Sequence, residues 1–143
     1  MTVFLDSRVL LSAAGSEKSL SRLIVVLARK KGWRLITAAY CRAETNRNVF
    51  KFGSEAVERW EAMKTGLVFV PDALTSQRPL LLAAAKDKPV LISALAAQSQ
   101  ALLTLDRNDF GIVLETEVYG MWVTTPRGFL LREGEDEESA IRG

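Results

Sequence analysis

The chain has 143 residues, 48% of them hydrophobic, with 19 basic and 17 acidic side chains, one cysteine and no histidine. That length suits a single domain with one good core, and the lone cysteine excludes an internal disulfide, as befits a reducing cytoplasm. The net charge of +2 is uneven: residues 133–143 carry −4 and residues 1–132 carry +6, which gives the main body either a mild attraction for polyanions or an ordinary solvated surface.

The N-terminal Val3-Phe4-Leu5 reads as a short buried strand ended by Asp6. It meets an acid at once and has no basic start, so no secretory leader is expected. Val9 to Ala14 and Ser19 to Lys31 read as helices, the second opened by serine and closed by Lys30-Lys31-Gly32. Its aliphatic run, Leu23 to Ala28, is too short to cross a bilayer. Arg34 to Thr37 predicts a second strand and Ala38 to Val49 a helix. Gly53-Ser54 predicts a cap for a helix over Glu55 to Lys64, ended by Gly66.

Leu67 to Val70 predicts a third strand, Ala73 to Lys86 and Pro89 to Gln98 helices, Ala101 to Leu105 a fourth strand and Met121 to Thr124 a fifth. Strands interleaved with helices argue a mostly parallel sheet covered on both faces, an α/β domain over residues 1–132. The acidic stretch 133–143 predicts a disordered tail. Cys41 reads as a small buried hydrophobe, and the scattered Trp33, Trp60 and Trp122 as packing residues.

Without histidine there is no Ser-His or Cys-His nucleophile pair, no imidazole base and no zinc site of the usual kind. Chemistry has to come from carboxylates, hydroxyls, lysines or a bound metal. Four carboxylates, Asp6, Glu44, Asp87 and Asp106, lie where one predicted element gives way to the next. In an open α/β sheet those junctions meet at the rim where ligands bind. Acids gathered there repel one another unless a cation intervenes, and oxygen ligands suit Mg²⁺ or Mn²⁺. Each acid also has a plainer use. Asp6 can cap a helix, Glu44 and Arg47 can form a surface pair, Asp87 suits a helix start, and Asp106, Asn108 and Asp109 suit a turn.

Four stretches together resemble the PIN domain family, in particular bacterial members similar to VapC-like toxin ribonucleases. They are Val3-Phe4-Leu5-Asp6-Ser7-Arg8, Ala43-Glu44-Thr45-Asn46-Arg47-Asn48, Lys86-Asp87-Lys88-Pro89 and Ala101-Leu102-Leu103-Thr104-Leu105-Asp106-Arg107-Asn108-Asp109. The resemblance spans about residues 3–125. It implies a three-layer α/β/α fold and a Mg²⁺- or Mn²⁺-dependent endoribonuclease. Asp6, Glu44, Asp87 and Asp106 would be the catalytic metal ligands and Asp109 an accessory one. Ser7, Arg8, Arg47, Asn48 and Thr104 would assist around them. RNA would be the substrate, and the resemblance admits an antitoxin protein and a homodimer as partners.

Two positions depart from that pattern. Arg8 stands where relatives usually carry asparagine, and Gln100 where many carry aspartate before the fourth strand. A guanidinium beside the first acid either competes with a metal or holds a substrate phosphate. A weakened PIN scaffold that binds RNA or protein without cutting is therefore the second reading. A haloacid-dehalogenase-like phosphohydrolase ranks last, because Arg8 fills the position of its second aspartate.

Overall fold

The computed structural model describes residues 1–73, 88–111 and 113–134. Strand β1 is Thr2–Leu5, followed by helices α1 (Ser7–Gly15) and α2 (Leu20–Lys31), strand β2 (Arg34–Ala38) and helix α3 (Ala39–Asn48). A short 3-10 helix over Val49–Phe52 leads into α4 (Ser54–Lys64) and β3 (Val68–Val70). Then come α5 (Lys88–Ala96), β4 (Ala101–Leu103), the single turn α6 (Arg107–Phe110), β5 (Thr116–Val118), β6 (Met121–Thr124) and α7 (Pro126–Arg132).

The strands form one six-stranded sheet in the order β3-β2-β1-β4-β6-β5, all parallel except the edge strand β5. The chain steps outward from β1 to β2 to β3, then returns to place β4 on the other side of β1. Strand order therefore reverses between β1 and β4, where an open sheet leaves a crevice at its carboxyl edge. Both strands are fully apolar there, Val3-Phe4-Leu5 beside Ala101-Leu102-Leu103, and all six side chains are buried. Such unbroken runs are what a sheet covered on both faces requires.

Local chemistry accounts for the helix ends. The Ser19 hydroxyl accepts from the Arg22 amide to open α2, and Gly32 closes it at a φ of 70° after Arg29, Lys30 and Lys31. The α3 start has no side-chain cap of its own. Asp72, just beyond β3, supplies one by accepting from the Tyr40 amide at 2.8 Å. Arg59 on α4 reaches across to the end of α1, where its Nε donates to the Ala14 carbonyl at 2.6 Å. One of the carbonyls orphaned at every helix end is thereby satisfied from a neighbouring helix.

Several boundaries differ from the sequence expectation. Ser54 is the first residue of α4 and caps nothing; the cap position is Gly53, whose φ of 101° disfavours any other residue. Strand β4 is shorter than expected and stops at Leu103, with the Thr104 amide making a last ladder bond to the Thr124 carbonyl of β6. The antiparallel strand β5 was not anticipated. It joins β6 through Tyr119 and Gly120, both at positive φ, the geometry of a two-residue hairpin turn.

Helix α7 was not anticipated either. Thr125 caps it by accepting from the Gly128 amide, and Pro126 occupies its first turn. The Glu133 and Gly134 amides bond back to Phe129 and Leu131, so these two residues finish a helix rather than begin a tail. Its Phe129 meets Trp33 edge-on at 4.9 Å and stacks near Trp122 at 6.3 Å, which gives two of the three tryptophans their packing role. The expected helix over Ala73 to Lys86 and the expected disorder of the acidic stretch lie outside the described residues, apart from Ala73 and the helix end just noted. No helix among the described residues is long and apolar enough to cross a membrane.

Candidate functional site

Asp6 stands one residue past β1 and begins α1. Its Oδ1 accepts from the Ser7 amide at 2.7 Å and lies 3.5 Å from the Ser7 hydroxyl, while its Oδ2 accepts from the Thr104 hydroxyl at 2.9 Å. Thr104 stands one residue past β4, so this contact closes the crevice at the point of strand reversal. The same hydroxyl oxygen accepts from the Asp106 amide at 3.1 Å. One buried threonine thus ties the first acid to the backbone of the last. The Asp6 amide donates to the Leu103 carbonyl at 3.1 Å, continuing the β1–β4 pairing up to the acid itself.

Asp6 is buried, and burial raises its carboxyl above the ordinary carboxylate value. The charges of Glu44 and Asp106 push the same way, and the bonds from Thr104 and Ser7 oppose them. No cation pairs with Asp6 among the described residues. Glu44 comes from the middle of α3, which follows β2, and it is half-buried. Tyr40, one helical turn earlier, is held above its ordinary value first by burial and then by the charge of Glu44 and a bond to it. Beneath them Cys41 is fully buried, and burial followed by the Asp6 charge pushes its thiol up to about 12. It is a neutral hydrophobe at neutral pH, as the sequence suggests. Tyr40 was not singled out in the sequence; its spacing of four from Glu44 on a helix was the available signal.

Arg8 does turn back to this rim. Its Nη2 lies 4.0 Å from Asp106 Oδ2, with the arginine side chain 62% exposed and the aspartate 14%. Glu44 and Arg47 form no ion pair among the described residues, and Arg47 projects from the exposed last turn of α3. The Asn48 side chain is taken up by the helix end: its Nδ2 donates to the Glu44 carbonyl and its Oδ1 accepts from Lys51. Gln100 lies at the opposite rim, where its Oε1 accepts from the Thr2 amide at 2.7 Å. Its departure from the PIN pattern therefore does not touch this site. Asp87 lies outside the described residues, and Asp109 is described only as part of the α6 backbone.

Among the described residues, no group of three or more carboxylate, thiol or imidazole side chains is arranged to hold a metal ion. The donor chemistry that is present does fit a hard divalent cation. Every ligand type at this rim is oxygen, and Asp6 keeps lone pairs beyond the two bonds it accepts.

The order of the strands, the helices on both faces and the reversal beside β1 define a three-layer, PIN-like α/β/α fold. No protein-family profile matches the sequence, and no curated protein matches it. Among solved structures, one chain from the crystal structure of VapBC2 from Rickettsia felis, bound to a DNA fragment from their promoter, is similar. The TM-score is 0.58 at 13% identity, over 86% of this chain and 97% of that one. At that identity the likeness is one of fold.

Proposed function

We propose that this chain is a Mg²⁺- or Mn²⁺-dependent ribonuclease acting at the rim of β1 and β4, and that it is the toxin of a toxin–antitoxin pair. The observation that carries the reading is the Asp6–Thr104 contact at the strand reversal, with Glu44 and Asp106 near enough to raise the Asp6 carboxyl. A buried acid with acidic neighbours and no cation paired to it among the described residues is costly in an apo protein, and a bound divalent ion would relieve it. Asp6 would be the first ligand of that ion, joined by its acidic neighbours Asp106 and Glu44 only once the further acids that the PIN pattern supplies, Asp87 and Asp109, and the ion itself complete the site. The ion would lower the pKa of a water and stabilise the charge that develops on the phosphodiester.

The chain's own residues do the rest. Thr104 and the Ser7 amide fix both oxygens of Asp6, so the carboxylate is set before any substrate arrives. Arg8 is largely exposed at the mouth of the site, where it can grip a substrate phosphate. The similarity to a chain of VapBC2 supports an antitoxin protein as partner.

The Arg8–Asp106 contact also favours a second reading, a scaffold whose metal site is weakened and which binds RNA without cutting it. Incubation of purified protein with single-stranded and structured RNA separates the two. Cleavage that needs Mn²⁺ or Mg²⁺, stops with a chelator and is largely lost in Asp6→Asn and Asp106→Asn supports the ribonuclease. RNA binding without any cleavage supports the scaffold.

A further inference from the structure

At the edge of the sheet opposite the acidic rim, a cleft of about 290 Å³ lies between α2 and α4. Its floor is made by the buried Ala28, Leu35, Met63 and Leu67, and the half-buried Trp33 borders it. Arg22 and Arg29 also line it. They stand seven residues apart on α2, which puts them on one helix face about 10 Å from each other. Val26, between them, is 48% exposed.

The charge along this side of the cleft has one sign. Residues 20–34 include Arg22, Arg29, Lys30, Lys31 and Arg34 and no acid. The flanking elements carry Glu17 ahead of α2 and Glu55, Glu58 and Glu61 on α4. None of these lines the cleft, and none comes within ion-pair distance of Arg22 or Arg29. An apolar trough edged by two guanidiniums without a carboxylate partner among the described residues suits an occupant that is acidic and carries an apolar side chain.

The chain itself carries such a segment, and carries it nearby. Helix α7 follows β6 back from the acidic rim and packs beside α2, where its Phe129 meets Trp33 at 4.9 Å. The described chain ends at Gly134, five positions beyond Phe129. Next in sequence come Glu135-Asp136-Glu137-Glu138-Ser139-Ala140-Ile141. Seven extended residues reach up to about 25 Å, well beyond the spacing of the two arginines. So short a tether sets a local concentration in the millimolar range, at which exposed ion pairs that are weak singly are enough.

We propose that segment 135–141 occupies this cleft, its acids against Arg22 and Arg29 and its Ile141 on the apolar floor beside Trp33. The assignment does not depend on the ribonuclease reading. It keeps the acidic run on the basic face of α2 and away from the acidic rim. A second copy of the chain, or an acidic partner, could offer the same chemistry but lacks the tether.

Disulfide trapping in the full chain tests this, since Cys41 is fully buried and does not compete. Val26→Cys combined with Ser139→Cys is expected to close an intramolecular disulfide under mild oxidation at low salt. Adding Arg22→Glu and Arg29→Glu should slow closure about tenfold, and further adding Glu137→Lys and Glu138→Lys should restore it, which a misfolded variant could not do. Ile141→Ser should slow closure too, with Ile141→Leu staying within about twofold. Acrylamide should also quench Trp33 less in the unmodified chain than in Ile141→Ser, with Trp33→Phe isolating that signal from Trp60 and Trp122. Equal closure rates in all backgrounds would show a segment that only sweeps past, and would overturn the proposal. The absence of any disulfide would do the same, and a disulfide between two molecules would give the cleft to a second copy instead.

Discussion

The Thr104 hydroxyl joins Asp6 to the chain segment carrying Asp106, donating to Asp6 Oδ2 at 2.9 Å while accepting the Asp106 amide at 3.1 Å. Thr104 is fully buried and Asp6 nearly so, so the Asp6 oxygen is poorly placed to find water if the hydroxyl is lost. Thr104→Val keeps the shape and removes both bonds. It is expected to cost about 1–3 kcal/mol of stability and most of the activity, with Thr104→Ser restoring much of each. Denaturant melts and cleavage assays on the two variants check this; equal behaviour of valine and serine would make the contact incidental.

Asp6→Asn should stabilise the metal-free protein while removing its activity. The folded-state carboxyl of Asp6 is raised above 3.8, chiefly by burial. Between 3.8 and that raised value the native state holds more of this proton than the unfolded state does, so stability falls as pH rises through the window. Above the window the penalty is complete, and below 3.8 it is absent. The asparagine variant escapes it. In chelator its melting temperature should exceed wild type by about 2–5 °C at neutral pH, with the difference fading as pH drops below 4. A constant difference across that range would show that charge is not its origin.

Divalent metal should reverse that ranking. An ion that binds only the folded protein stabilises it by mass action, about 2.7 kcal/mol at a hundredfold excess over its dissociation constant. Millimolar Mn²⁺ is therefore expected to raise the melting temperature of wild type and to leave Asp6→Asn and Asp106→Asn almost unmoved. Equal shifts in all three proteins would place the ion elsewhere.

Arg8→Asn separates competition from substrate grip. If the 4.0 Å approach to Asp106 offsets metal charge, the variant binds Mn²⁺ more tightly in a calorimetric titration and cuts RNA faster. If Arg8 holds a phosphate, metal affinity stays put and the Michaelis constant for RNA rises. The exposure of the guanidinium favours the second outcome, because a solvent-screened pair at that distance is weak.

Truncation after Gly134 keeps the end of α7 intact and removes four acids and one arginine. RNA affinity should rise, most clearly at low salt where the Debye length is longest. A salt-independent change would exclude a purely electrostatic effect.

Much of the fold was legible because it is written in short-range signals. Val3-Phe4-Leu5 before an acid, and Ser19 with Lys30-Lys31-Gly32, determine where elements begin and end by chemistry that acts within a few residues. The placement of Asp6, Thr104 and Asp106 at one rim followed from strand–helix alternation and the PIN resemblance together. What escaped depends on partners far along the chain or on weak turn chemistry. Tyr119-Gly120 makes a hairpin without the usual asparagine or aspartate, and Asp72 caps α3 from beyond β3. Gln100 could be assigned to the far rim only once the β1–β4 register was known. Whether Asn48 faces the site or its own helix end is a rotamer question that spacing does not answer.

The central position of β1 also dictates when the acidic rim can be assembled. The first strand made is flanked on one side by β2 and on the other by β4, and the Asp6–Thr104 bond spans 98 positions of sequence. Contacts that distant form late, after the entropy of closing a long loop has been met. A growing chain therefore carries Asp6 for most of its synthesis with β4 absent from one side of it and the pocket incomplete. The acidic rim comes into being only as β4 docks, and Trp33 and Trp122 are boxed in only when Phe129 arrives after that. The site is therefore among the last parts of the molecule to be completed, although its first acid is among the first residues made.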